Sequence, residues 1–269
     1  MIGMECLAIC WLVSAAAPTP EGASVDANEH DHDDEGDDDR VLLNEVIGAT
    51  VVYPQEQGEL QFNVKPGYRD RRDDHLGYAN LELEIGATDW LQFEVAWVAP
   101  MVRGGMGVDT VAGFGDLELA TQLTWMHMGG SAVSTAFVFE TQFPTAWPKD
   151  EELEFGEGGF SYEPFVTLAV DFPGRTGQVF ANLGAELSTE EQLPLVNVGV
   201  FVARSIVRPT LVFGWTLEEM RLTPGLVILA GKSWEFAIGV PIGLNQRTDR
   251  VGVEALIIYE FNPLELMRH

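Results

Sequence analysis

From Leu60 to Phe261 the chain runs through about a dozen segments in which large apolar residues take every second place. Leu81-Glu82-Leu83-Glu84-Ile85 is one, and Leu91-Gln92-Phe93-Glu94-Val95-Ala96-Trp97 is the next. A period of two sends alternate side chains to opposite faces of a strand. It predicts strands over 58–66, 77–86, 90–99, 115–126, 131–142, 160–171, 177–187, 194–204, 208–218, 221–230, 233–243 and 250–261. An apolar outer face, a small or polar inner face and an even strand number are what a closed membrane sheet requires. The fold class read from this pattern is all-β, an antiparallel up-and-down transmembrane β-barrel of about 12 strands.

The connections alternate as well. Ala87-Thr88-Asp89, His127–Gly130, Phe172–Thr176 and Gly231-Lys232 are tight turns built on Gly, Pro or Asp. The other set includes Gly67–Leu76, Pro100–Phe114, Phe143–Gly159 and Leu244–Asp249, which read as longer loops. Bacterial outer-membrane barrels keep short turns on the periplasmic side. Both termini are therefore expected in the periplasm of a Gram-negative envelope.

The glutamates decide which face is which. A lipid-facing base near the midplane costs about 2–4 kcal/mol and an acid somewhat less. Glu82, Glu84, Glu94, Glu118, Glu140, Glu186, Glu235 and Glu254 are thus candidates for the lumen lining, opposite the large apolar sets. They would make a cation-favouring interior, or else pair with bases such as Lys65 and Arg204. Gly184, Gly199, Gly214, Gly239 and Gly243 fall on the inner face, where they would leave lumen space or let strands bend. Trp90, Trp97, Trp125, Tyr162, Trp215, Trp234, Tyr259 and Phe261 lie near strand ends, where interfacial aromatic girdles belong.

The rest of the chain divides around this barrel, placed over 58–262. Residues 1–16 read as a signal peptide. The apolar run Cys6–Val13 is followed by the small residues Ser14-Ala15-Ala16, although no Lys or Arg precedes it. Cys6 and Cys10 are the only cysteines, so cleavage leaves no disulfide. Residues 17–40 read as a disordered acidic segment with too little to bury. Within it, His30, Asp31, His32, Asp33 and Asp34 are a weak divalent-metal candidate. Residues 41–57, with Val41-Leu42-Leu43 and Val46-Ile47, read as a linker or plug segment, short and helical. Residues 263–269 form a C-terminal tail.

The net charge of −27, from 42 acids against 15 bases, repels nucleic acid and excludes it as a partner. No apolar run is long enough for a transmembrane helix. No nucleophile elbow or phosphate loop stands out, and His75 and His127 fall at opposite rims. The chain is therefore not expected to be an enzyme, and no cofactor is called for. Arg69-Asp70-Arg71-Arg72-Asp73-Asp74 reads as a self-paired charge run or a grip on lipopolysaccharide phosphate.

Four phrases occur in a telling order. They are Gly113-Phe114-Gly115-Asp116-Leu117, Leu222-Thr223-Pro224-Gly225-Leu226, the run Glu235–Ile242, and Tyr259-Glu260-Phe261. Over about residues 45–262 the chain resembles the family of meta-pathway phenol-degradation, transporter-like outer-membrane barrels. The resemblance implies passage of a small hydrophobic or aromatic permeant across the outer membrane, with outer-membrane lipid as the surrounding partner. Phe261 stands eight places before the end, where many such barrels finish on an aromatic. Two alternatives remain at this point: a closed structural barrel without conductance, and a soluble β-barrel carrier with its glutamates outside.

Overall fold

A computed structural model describes residues 43, 45–71, 74–105, 108–149, 155–156, 158–188 and 192–263. The signal peptide, the acidic segment with its His30-to-Asp34 metal candidate, and most of the C-terminal tail lie outside the described residues. The strands are β1 (Leu60–Asp70), β2 (Asp74–Thr88), β3 (Leu91–Gly105), β4 (Val108–Gly113), β5 (Leu117–Trp125), β6 (Val133–Phe143) and β7 (Ser161–Asp171). They continue with β8 (Gly177–Ser188), β9 (Gln192–Val202), β10 (Val207–Trp215), β11 (Met220–Ala230), β12 (Trp234–Gly239), β13 (Ile242–Gly243) and β14 (Val251–Phe261).

Every pairing is antiparallel, and β1 pairs with β14 from Leu60↔Phe261 to Asp70↔Val251, which closes the sheet. The ring has twelve staves. β4 and β5 form one stave, interrupted at 114–116 without a slip, since Met101↔Gly113 and Trp97↔Leu117 keep one register on β3. β12 and β13 form another, broken at Val240-Pro241 opposite Thr223-Pro224. Both prolines lack the N–H that a continuous ladder needs. Closure leaves no free edge, which is the condition for a sheet in hydrocarbon.

Alternation sorts the outside as expected. Leu83, Ile85, Phe93, Val95, Leu119, Phe137, Leu183, Phe236 and Ile257 all point outward and are exposed. β6 covers ten steps, about 33 Å along the strand and about 25 Å along the axis at a tilt of about 40°. That matches the height of an outer-membrane apolar band. Aromatic clusters bound the band. At the short-turn end Trp234 contacts Phe236 and Tyr259, and Tyr259 stacks on Phe261. At the other end Trp97, Phe114 and Trp147 form a chain, beside Phe143 with Phe160.

Three expectations need correction. Gly67–Leu76 and Pro100–Phe114 are not long loops. β1 and β2 continue to a connection at 71–73, and β3 and β4 continue to one at 106–107. Pairing carries them past Gly67 and Pro100. Gly67–Asp70 has β2 on one side and β14 on the other. Arg69 reaches Glu254 at 3.2 Å, Arg71 reaches Asp249 at 3.4 Å, and Arg103 pairs with Asp74. Arg69, Arg71 and Asp74 of the charge run therefore pair with residues outside it. Of the longer loops, 144–160 and 244–250 remain, and the Gly113-Phe114-Gly115-Asp116 phrase is the dock of the first. Phe114 and Trp147 exchange backbone hydrogen bonds, and Asp116 Oδ1 accepts the Ala146 N–H at 2.8 Å. A Cβ on Gly113 would lie 2.1 Å from the Trp147 carbonyl oxygen, so only glycine admits that approach.

Second, the inner face is small or polar on only part of the wall. Phe180, Phe201, Val212, Val227, Leu256 and Ile258 also point inward and are buried. The inward glycines do not open space there. A Cβ on Gly199 would sit 2.1 Å from the Phe180 ring, and one on Gly239 would sit 3.0 Å from Ile47.

Third, the described residues of segment 43–57 contain no helix. They make one tight turn, with Ala49 N–H donating to the Val46 carbonyl. Leu43, Val46, Ile47, Val51, Val52 and Tyr53 are buried within the same apolar cluster as Phe180, Phe201, Val212, Leu256 and Ile258. The segment therefore lies inside the barrel, and Ile47 reaches Gly239, five residues up its stave from Trp234.

Candidate functional site

The interior has two unlike walls, and segment 43–57 touches both. On the polar wall, Gln55 donates its backbone N–H to Gln92 Oε1 at 2.9 Å and its Nε2 to Gln61 Oε1 at 2.6 Å. Glu84 is the centre of this network. It accepts from Gln61 at 2.8 Å, Asn63 at 2.6 Å, Gln55 at 3.3 Å, and also from Gln92. Deeper in, Asn182 Nδ2 donates to the Thr50 carbonyl and Gln122 Nε2 to the Val52 carbonyl. Near the short turns, Tyr53 donates its hydroxyl to Asp171 Oδ1 at 2.8 Å, and Gln178 Nε2 donates to the same oxygen at 2.7 Å. His127 Nε2 lies 3.0 Å from the other Asp171 oxygen. Burial, followed by the Asp171 carboxylate, raises the Tyr53 phenol above its ordinary range, so it stays a donor.

Beside the segment is a cavity of about 360 Å³. Its acidic side is lined by Glu82 and Glu84 of β2, Glu94 of β3, Glu118 of β5, Glu140 of β6 and Glu163 of β7, with Glu45 supplied by the segment itself. Lys65 is the one base among its described lining residues. Its Nζ lies 3.0 Å from Glu45 and 2.5 Å from Glu82. Burial raises the Glu45 carboxyl well above the usual carboxylate range, and the neighbouring Glu82 adds to that. Glu84 faces Glu94, and Glu140 faces Glu163, directly across adjacent strands. Like charges in that position repel.

Six of the eight glutamates singled out from sequence line this cavity: Glu82, Glu84, Glu94, Glu118, Glu140 and Glu254. Glu254 is already engaged by the Tyr78 hydroxyl at 2.7 Å and by Arg69. Glu186 and Glu235 are not among the lining residues; Glu235 is buried near the short turns on β12, opposite Ile258. Sequence reasoning missed Glu45 and Glu163. Counting back in twos from inward Thr167 finds Glu163, but nothing local to Glu45 shows that it enters the barrel. Carboxylate oxygens of Glu45, Glu82 and Glu84 come within 4.8 Å of one another, a spacing a divalent ion could bridge. Lys65 already supplies the cation there.

No family model matches the chain, and no curated protein matches it in sequence. Solved structures do match. The COG4313 outer membrane channel from Pseudomonas putida F1 superposes with a TM-score of 0.63 at 11% identity, over 78% of this chain and 98% of that one. This chain has the fold of an outer-membrane channel. The KdgM porin matches with a TM-score of 0.54 at 9% identity, over 75% of this chain and 99% of that one. A second KdgM structure, in complex with disordered oligogalacturonate, gives 0.52 at 9% identity, over 76% and 99%. At such identities the likeness is one of fold, and the family suggested by the four sequence phrases is not shown by it.

Proposed function

We propose that this chain is an outer-membrane channel for small molecules, with residues 43–57 as an internal plug and both termini on the periplasmic side. The observation that carries this reading is a closed barrel with an apolar exterior and a polar cavity in its interior, filled along one side by a single segment of the chain. A packed barrel core would have no use for a cavity lined by so many carboxylates. The outward apolar band also removes what a soluble carrier would need, namely glutamates outside and apolar residues within. A hydrophobic or aromatic permeant is what the resemblance to the phenol-degradation barrels would add.

The depth at which the plug is buried favours a second reading, a closed structural barrel. Planar-bilayer recording separates the two. The Ile47→Asp, Val51→Asp double variant places carboxylates on the apolar wall and should unseat the plug. We expect the full chain to conduct rarely and the variant to conduct at least tenfold more often. Silence in both, with heat-modifiable migration showing a folded barrel, selects the closed scaffold.

A further inference from the structure

We infer that the permeant is a small organic cation, an ammonium group carried on an apolar body. This rests on the channel reading above and names the chemistry that the lumen selects. The cavity carries carboxylates on five adjacent staves, and Lys65 balances only Glu45 and Glu82. Glu94, Glu118, Glu140 and Glu163 also face it. A second kind of group on the wall asks for the same partner. Asn182, 1% exposed, lines the cavity. Its Nδ2 donates to Thr50 and Thr167, both at 2.8 Å, while its Oδ1 is buried without a donor. Asn80 Oδ1, on β2, is also buried without a donor and its residue also lines the cavity. Carboxylates and orphan amide oxygens are all acceptors, and an ammonium group is a pure donor.

The apolar part of the lining sets the body of the molecule. It is made by Phe165, two places from Glu163 on β7, by Leu195, Ala255 and Leu256, and by Val46 and Val51 of the segment. An inorganic cation has no use for that surface, whereas an aromatic or branched amine would lie against it with its head toward the acids. A volume of about 360 Å³ is at the lower end of small-molecule sites. An anion would meet repulsion from several carboxylates in a low-dielectric interior.

Reversal potentials in planar bilayers test this on the full chain and on Tyr53→Phe, which loosens the segment without adding charge to the lumen. The probes are benzylammonium, methylammonium and benzenesulfonate. Benzylammonium should be at least tenfold more permeant than benzenesulfonate and no less permeant than the smaller methylammonium. Glu163→Gln alone should reduce the cation-to-anion ratio. Glu94→Gln, Glu118→Gln, Glu140→Gln and Glu163→Gln together should bring it within about threefold of unity, with heat-modifiable migration confirming a folded barrel. Currents that carry benzenesulfonate as readily as benzylammonium overturn the inference and leave the channel standing. Methylammonium passing tenfold better than benzylammonium overturns the apolar-body half. No current for any ion from either protein overturns the channel reading itself.

Discussion

The two walls of the lumen hold the same segment by different physics. On one side Val46, Ile47, Val51 and Val52 meet Phe180, Phe201, Val212, Leu256 and Ile258. That contact is non-directional and scales with the apolar area removed from water, at about 25 cal/mol per Å². On the other side Tyr53, Gln55 and Glu45 make individual hydrogen bonds and one ion pair. Each such bond is worth only about 1 kcal/mol net, because water offers a substitute. The apolar wall therefore supplies most of the holding energy, while the polar wall fixes register and is where pH can act. Breaking the apolar wall should give large effects, indifferent to pH where the change adds no charge, and breaking the polar wall small, conditional ones.

The largest effect is expected from Ile47→Asp with Val51→Asp. Lost burial plus unpaired carboxylates cost about 3 kcal/mol or more, enough to move a seated plug to a mostly open one. Limited proteolysis should then cut within 43–57 in the variant and spare the parent. A smaller change on the same wall is Gly199→Val. Its Cβ would meet Phe180 at 2.1 Å, and overpacking of this kind costs about 1–3 kcal/mol. The urea midpoint of the detergent-folded barrel should fall, with no dependence on pH between 5 and 8. An unchanged midpoint would mean that the Phe180 ring is free to move aside and that this wall is loosely packed.

The same contrast explains what the sequence made legible. The acid side could be read because its glutamates interrupt the apolar residues in strict alternation, as in Leu81-Glu82-Leu83-Glu84-Ile85. The apolar wall was obscured because both faces of its strands are apolar. Val198-Gly199-Val200-Phe201-Val202 and Leu256-Ile257-Ile258-Tyr259 carry large residues inward as well as outward, so period two loses its contrast. Their partner, Val46 to Val52, lies about 130 to 210 residues away in sequence, and no local pattern announces such a contact. The hairpin tips at 67–76 and 100–114 read as loops in the sequence for a related reason. Gly67, Pro100 and the arginines signal turns locally, yet pairing on both sides and acids on neighbouring staves make extended structure the better state. The sequence offers Lys65 only as a general partner for the acids, since its place between Glu45 and Glu82 depends on where the segment goes.

On the polar wall, Tyr53→Phe removes the hydrogen bond donated to Asp171 and the one accepted from Gln178, while Asp171 keeps Gln178 and His127 as partners. The ring still packs, so the loss should be about 1 kcal/mol. In single-channel records that is about a fivefold increase in open frequency, well short of the double variant. An effect as large as that of Ile47→Asp with Val51→Asp would reverse the ranking of the two walls.

The smallest expected effect is the most diagnostic, because only the polar wall can produce it. Glu45 sits in the barrel with its carboxyl raised well above the usual carboxylate range by burial, then by Glu82. In a released segment it would return to an ordinary value, near 4.3. The seated state thus binds the proton more tightly than the released one. Linkage then gives the sign: this contribution to seating is fully present below the ordinary value and is lost as pH rises through the raised one. Open frequency should therefore climb with pH across that window, against the steadying pull of Lys65. Glu82 and Glu84, which face Glu45, titrate in the same space, so the slope belongs to the group until Glu45 is isolated. Glu45→Gln isolates it, because the amide keeps the shape and removes the proton. The variant should lose most of the slope while the parent keeps it. An equal slope in both would place the pH response elsewhere on the acid wall and leave Glu45 as a plain ion-pair partner of Lys65.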